Sequence, residues 1–192
     1  IYTGEDTLSL HDALPILMAS DAGLRTNQRG LELIGNAEAC RTQPYMCPAN
    51  VLTVGIGSTT NVKPGKTYTH EEIAAMWAGD MKSAEKCVNL YANGKAMNDN
   101  QFSAVSSLAF NIGCGNLQTS TLARYANRQQ WGEMCGQLHR WVYANGKKLN
   151  GLVKRRADEY RLCMEAVKLN NAAYVASLGM SRVSATGLQK LR

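Results

Sequence analysis

Between residues 27 and 57 the chain changes its hydrophobic period, and that change limits what it can fold into. Leu31, Ile34 and Glu38 recur at i, i+3 and i+7, one face of a helix read over Asn27 to Ala39. A carboxylic acid therefore lies on the apolar stripe, near the C-terminus of that helix. Gln43 to Gly57 then reads as a hairpin with Pro48-Ala49-Asn50 as its turn. Strand alternation puts Leu52, Val54 and Ile56 on one face and Thr53 on the other. A helix end, a tight turn and a Thr-bearing strand can bring an acid, a second polar group and a hydroxyl around one bond.

The rest of the chain is predicted to be mainly helical. Thr69-His70-Glu71-Glu72 is a capping box, which opens a helix running to about Tyr91 and stopped by Asn93-Gly94. Asn98 to Gln101 caps the next helix, in which Phe102, Val105, Leu108, Ala109 and Ile112 form a core face; Gly113-Cys114-Gly115 ends it. Trp131, Met134, Cys135, Leu138, Trp141 and Val142 mark another apolar face, and Leu152 to Val167 a last helix. The fold class predicted is α+β, predominantly α-helical, with a small N-terminal hairpin lobe and a helical C-terminal lobe. A cleft between two such lobes is a usual place for a site.

A length of 192 residues fits one domain with tails. Residues 1–20, which resemble translated sequencing-adapter DNA, are expected to be a non-native or disordered tail. Residues 21–168 are expected to form the domain, and 169–192 a weakly ordered basic tail. Leu8 to Ala19 is the nearest approach to a membrane segment, but His11, Asp12 and Pro15 interrupt it and no basic leader precedes it. No stable membrane insertion and no export signal are expected. The default for the cysteines is then reduced thiols, with Cys87, Cys114, Cys135 and Cys163 expected to be inert, buried thiols. A net charge of +6 favours an acidic partner. The basic cluster Lys147, Lys148, Lys154, Arg155 and Arg156 has no helix-turn-helix or aromatic platform beside it, so nucleic acid is not the expected partner.

Glycoside hydrolysis needs an acid that still holds its proton near neutral pH. A Glu against apolar side chains, at the negative end of a helix dipole, has its pKa pushed up. Glu38, eight residues, Cys47, five residues, Thr53, then Gly55-Ile56-Gly57, resembles the catalytic signature of phage-type lysozymes, glycoside hydrolase family 24. The likeness continues through Gln101 to Gly113, Ser120-Thr121-Leu122, Arg140-Trp141-Val142 and Gly151 to Arg156, and covers roughly residues 24–167. It implies a lysozyme-like fold and a muramidase that cuts the β-1,4 bond between N-acetylmuramic acid and N-acetylglucosamine in bacterial peptidoglycan, lysing the host. On this resemblance Glu38 is the general acid, Thr53 helps hold the attacking water, and Cys47 stands where the family often has Asp. Phe110, Thr121 and Asn150 match positions that contact sugar in relatives. Single displacement by water, with inversion, is implied.

Cys47 either stays a thiol that can orient water or pairs with Cys40; the Cα separation decides. Two rivals stay open: a lytic transglycosylase, which needs only the acid, and a catalytically silent peptidoglycan-binding protein. Three histidines, His11, His70 and His139, make no clustered metal site, and no phosphate-cradling loop is present, so neither a metal nor a cofactor is expected. The expected protein is a monomer that waits in the host cytoplasm until the membrane is permeabilised, then acts on the wall in the periplasm.

Overall fold

In a computed structural model the chain is described over residues 7–8, 23–37, 40–47 and 50–177, with side chains over 23–35, 41–47 and 50–165. Helix α1 (Gln28–Ala37) comes first after the short strand β1 (Thr7–Leu8). Strands β2 (Cys40–Met46) and β3 (Leu52–Gly55) follow, then the long helix α2 (His70–Tyr91). Next come α3 (Asp99–Ile112), α4 (Cys114–Thr119), α5 (Thr121–Asn127) and α6 (Trp131–Gly136). A small hairpin, β4 (Tyr143–Ala144) and β5 (Lys147–Lys148), leads to α7 (Asn150–Ser177). The α+β, mainly helical expectation holds.

The sheet is antiparallel in the order β1-β2-β3. Thr7 and Leu8 pair with Arg41 and Cys40, so part of the segment expected to be a tail aligns its backbone with the sheet. Across β2 and β3, Arg41 faces Gly55 and Tyr45 faces Thr53, with a register shift between Arg41 and Tyr45. Pro44 lies inside that shift, where a residue with no N–H can leave the ladder. Asn50, at φ 59°, bonds back to Cys47 at 2.8 Å and closes the hairpin end.

Two apolar clusters divide the molecule. The smaller holds Ile34, Val54, Ile56, Tyr68, Ile73, Trp77 and Met81. The larger is built on Phe102, Val105, Leu108, Leu117, Leu122, Met134, Leu138 and Leu162. Helix α2 joins them: Ile73, Trp77 and Met81 belong to the first, Ala84, Cys87 and Val88 to the second. Its start carries the expected capping box, with Thr69 accepting from the Glu72 N–H at 3.2 Å and the Thr69 N–H donating to Glu72 at 3.0 Å. Asn98 and Gln101 cap α3 in the same reciprocal way. Phe110 packs against both clusters, so it marks their junction.

Four cysteines correct the sequence expectation. Cys87 is bonded to Cys114 and Cys135 to Cys163, at Cα separations of 5.7 and 5.8 Å. Cys87, Cys135 and Cys163 are buried as expected, but not as thiols. Partners 27 and 28 residues apart carry no local signal; the packing of α2 on α4 and of α6 on α7 brings each pair into bridging range. The last helix also runs ten residues past its expected end at Val167. Residues 178–192 of the expected tail lie outside the described residues.

Candidate active site

The approach to the site is α1, and the residues ahead of it fix its position. Arg25 donates to the carbonyls of Gly94 and Met97 at 2.8 and 2.6 Å, and its guanidinium lies 4.3 Å over the Phe102 ring. The Thr26 N–H and hydroxyl both donate to one oxygen of buried Glu85, each at 2.7 Å. The Asn27 N–H donates to the Ser103 hydroxyl, while the Asn27 side chain caps the Gly30 N–H. A Cβ at Gly30 would stand 2.6 Å from that of Ser103, so helix α1 approaches α3 as closely as glycine allows. Arg29 adds a two-pronged ion pair to Glu165 of α7. Apart from the Asn27 cap on Gly30, none of these anchors was legible in the sequence, because each partner is distant in the chain.

Helix α1 packs Ile34 into the small cluster and Leu33 against the large one, and its final residue is Ala37. Glu38, the expected acid, is the next residue in the chain and lies outside the described residues. Thr53 is on β3, 3% exposed, and its hydroxyl donates to the Val51 carbonyl at 2.9 Å, which leaves its lone pairs to accept. The alternation expected for β3 is thus less simple than read: Thr53, Val54 and Gly55 are all buried. Gly55, at φ +62°, could not be replaced easily, since a Cβ there would meet Ile73 at 2.4 Å. Val54 and Ser58 exchange backbone bonds at 2.9 and 3.0 Å, folding the strand's end back tightly. Cys47 follows β2, half-buried, with its N–H on the Val51 carbonyl at 3.0 Å. Cys47 and Thr53 therefore share one hairpin. The Cys40 side chain is outside the described residues.

The expected sugar-contacting residues separate. Phe110 lines a hollow of about 190 Å³ with Gly57, Thr59, Asp80 and Gly113. Thr121 lines another, of about 320 Å³, with Asn116, Gln137, Arg140 and Trp141. Asn150 is exposed at the start of α7 and borders neither.

Arg155 and Arg156 also depart from the basic surface read in the sequence. Both are buried, and Arg155 Nε and Arg156 Nη2 reach one oxygen of buried Glu159 at 3.2 and 2.8 Å; Ser107 donates to it at 2.6 Å. Burial lowers the Arg156 pKa to about 10, and burial raises that of Glu159. The i+3 and i+4 spacing was the available signal, masked by the run of basic residues.

The family model for phage lysozyme matches residues 35–159. The SAR-endolysin of Escherichia phage P1 is 45% identical over 159 residues, covering 77% of this chain and 86% of that protein. The solved active form of the P1 phage endolysin Lyz superposes with a TM-score of 0.79 at 42% identity, covering 85% of this chain and 98% of that one. Its secreted inactive form gives a TM-score of 0.55 at 44% identity, covering 74% and 97%. A buried Thr on a Gly-ended strand, a helix packed on both cores and this likeness agree: the chain belongs to the phage lysozyme family, and is an endolysin, a glycoside hydrolase that lyses peptidoglycan.

Proposed function

We propose that Glu38 is the general acid that protonates the leaving oxygen of the muramic acid–glucosamine bond, and that Thr53 holds the attacking water. The observation that carries this reading is that α1, which packs Leu33 on the large core and Ile34 in the small one, ends at Ala37 with Glu38 next in the chain. The Thr53 hydroxyl, oriented by the Val51 carbonyl, supports its role as a water acceptor. Cys47, on the same hairpin, orients the water or supports charge at the sugar ring. Phe110 and Thr121 contact sugar from their two hollows, and Asn150 contacts it at the edge. Water displaces the leaving group once, with inversion, and the protein acts as a monomer. Residues 21–168 are the catalytic unit.

Reducing-sugar release from purified peptidoglycan by wild type and Glu38→Gln tests the assignment. Release by the wild type and none by the variant is expected; equal release would place the acid elsewhere. An anhydro product mass would reassign the chain as a transglycosylase, and wall binding without release would make it a binder. Cys47→Ser tests Cys47 without touching the two disulfides: a thiol in chemistry predicts lower release by the variant, and equal release would remove it from the mechanism.

The chain acts on the cell wall. Two disulfides suit an oxidising compartment such as the periplasm. Waiting in the cytoplasm until the membrane is permeabilised is one route to it. The secreted form known for the P1 relative favours the other, delivery by secretion. Finding the protein outside the membrane before any permeabilisation, active or not, would select secretion; its confinement to the cytoplasm until then would select the cytoplasmic route.

A further inference from the structure

The hollow that contains Phe110 also contains a carboxylate that neither the fold nor the lysozyme reading uses. Gly57 and Thr59 come from the turn after β3, Phe110 and Gly113 from the end of α3. Between them lie Asp80, Ser83 and Cys87, at i, i+3 and i+7 on α2, so one helix face looks into the space. Asp80 is half-buried. Its one side-chain bond among the described residues is from the Thr60 hydroxyl, long at 3.4 Å. Among those residues no lysine or arginine pairs with it. A carboxylate in a concave site, with acceptor positions open and an aromatic ring beside it, has the chemistry to bind a saccharide. The oxygens accept from hydroxyls or an acetamido N–H, and the ring covers the apolar C–H face.

We propose that Asp80, with Thr59 and Phe110 around it, is a specificity-determining residue that binds the uncharged N-acetylglucosamine unit of the glycan. The proposal rests on the lysozyme reading. Charge selects between the two sugars of the wall. The muramic unit carries a lactyl group whose carboxyl, or the peptide attached to it, brings negative charge that Asp80 repels. N-acetylglucosamine brings none and offers several donors.

Asp80→Ala and Asp80→Asn in the full chain test this, by kcat and KM on purified peptidoglycan and by calorimetric titration with tri-N-acetylglucosamine. Removing a hydrogen bond to a charged group predicts that Asp80→Ala raises KM and weakens binding of the trisaccharide about tenfold, with kcat within about twofold. Asp80→Asn, which keeps one acceptor, falls between. Unchanged KM and unchanged trisaccharide affinity overturn the proposal. So does a fall in kcat and melting temperature together without a change in KM, the mark of a structural role. Wild type that releases no sugar from peptidoglycan would count against the lysozyme reading alone, because the titration still judges Asp80.

Discussion

At the scale of single residues, the most costly positions are polar groups that the interior has taken in. Glu159 holds two guanidiniums with one oxygen, and its other oxygen has no partner among the described residues. Glu159→Ala would strip Arg156 of its carboxylate inside the core, and should cost about 3–5 kcal/mol, read as a lowered urea midpoint. A loss below about 1 kcal/mol would mean that water reaches the cluster. Gly55 is demanding for a different reason. Gly55→Ala meets both a positive φ and the γ-carbons of Ile73, so a loss of about 1–3 kcal/mol is expected by thermal melting; Ile73→Val, which keeps both γ-carbons, should not recover it. Local pattern and family signature both single out Glu38, Thr53 and Phe110, which is why they stand as the proposed site residues. Neither gave access to Glu159 or Asp80, whose meaning comes from what packs opposite.

At the scale of elements, the devices with short-range signals were read correctly. Both capping boxes stand where their sequence places them, because donor and acceptor lie within one turn. The β4–β5 hairpin was missed, although Asn145 and Gly146 both have positive φ, as a two-residue turn demands. Its strands are too short to show alternation. The break from α6 into the tighter turn Gln137–Arg140 was also hidden, since one apolar face runs through both. The α2 cap has a pH signature. The hydrogen bond from Lys66 and the Thr69 N–H hold the Glu72 carboxyl below its ordinary value of 4.5. A depressed carboxylate stabilises the fold above the free value, and that contribution is lost as pH falls through the lower folded value. Glu72→Ala should therefore lower the melting temperature at pH 7, and the gap to wild type should shrink as pH falls below about 4.5. A gap constant with pH would show that the carboxylate charge contributes nothing.

At the scale of the whole molecule, two features come from tertiary structure and one from composition. Both disulfides hold the large helical cluster, and Cys87–Cys114 also ties down the end of the helix that spans the two lobes. Loops of this size imply about 3–4 kcal/mol for each bridge, so a reductant should lower the melting temperature markedly. Charge then governs how the folded protein meets its substrate. Net charge is +6, yet Arg155 and Arg156 are withdrawn into the interior, and the remaining lysines of that cluster, Lys147, Lys148 and Lys154, are exposed. Peptidoglycan carries stem-peptide carboxylates, so attraction over long range should speed encounter with the wall. Screening shortens that range from about 10 Å at 0.1 M salt to about 3 Å at 1 M. Lysis of whole wall should therefore slow steeply with salt, through a rising KM and an almost constant kcat. Lys147→Gln with Lys148→Gln and Lys154→Gln should flatten the dependence. A salt-independent KM in the wild type would assign the positive charge to solubility alone, and would leave binding to the short-range contacts within the two hollows.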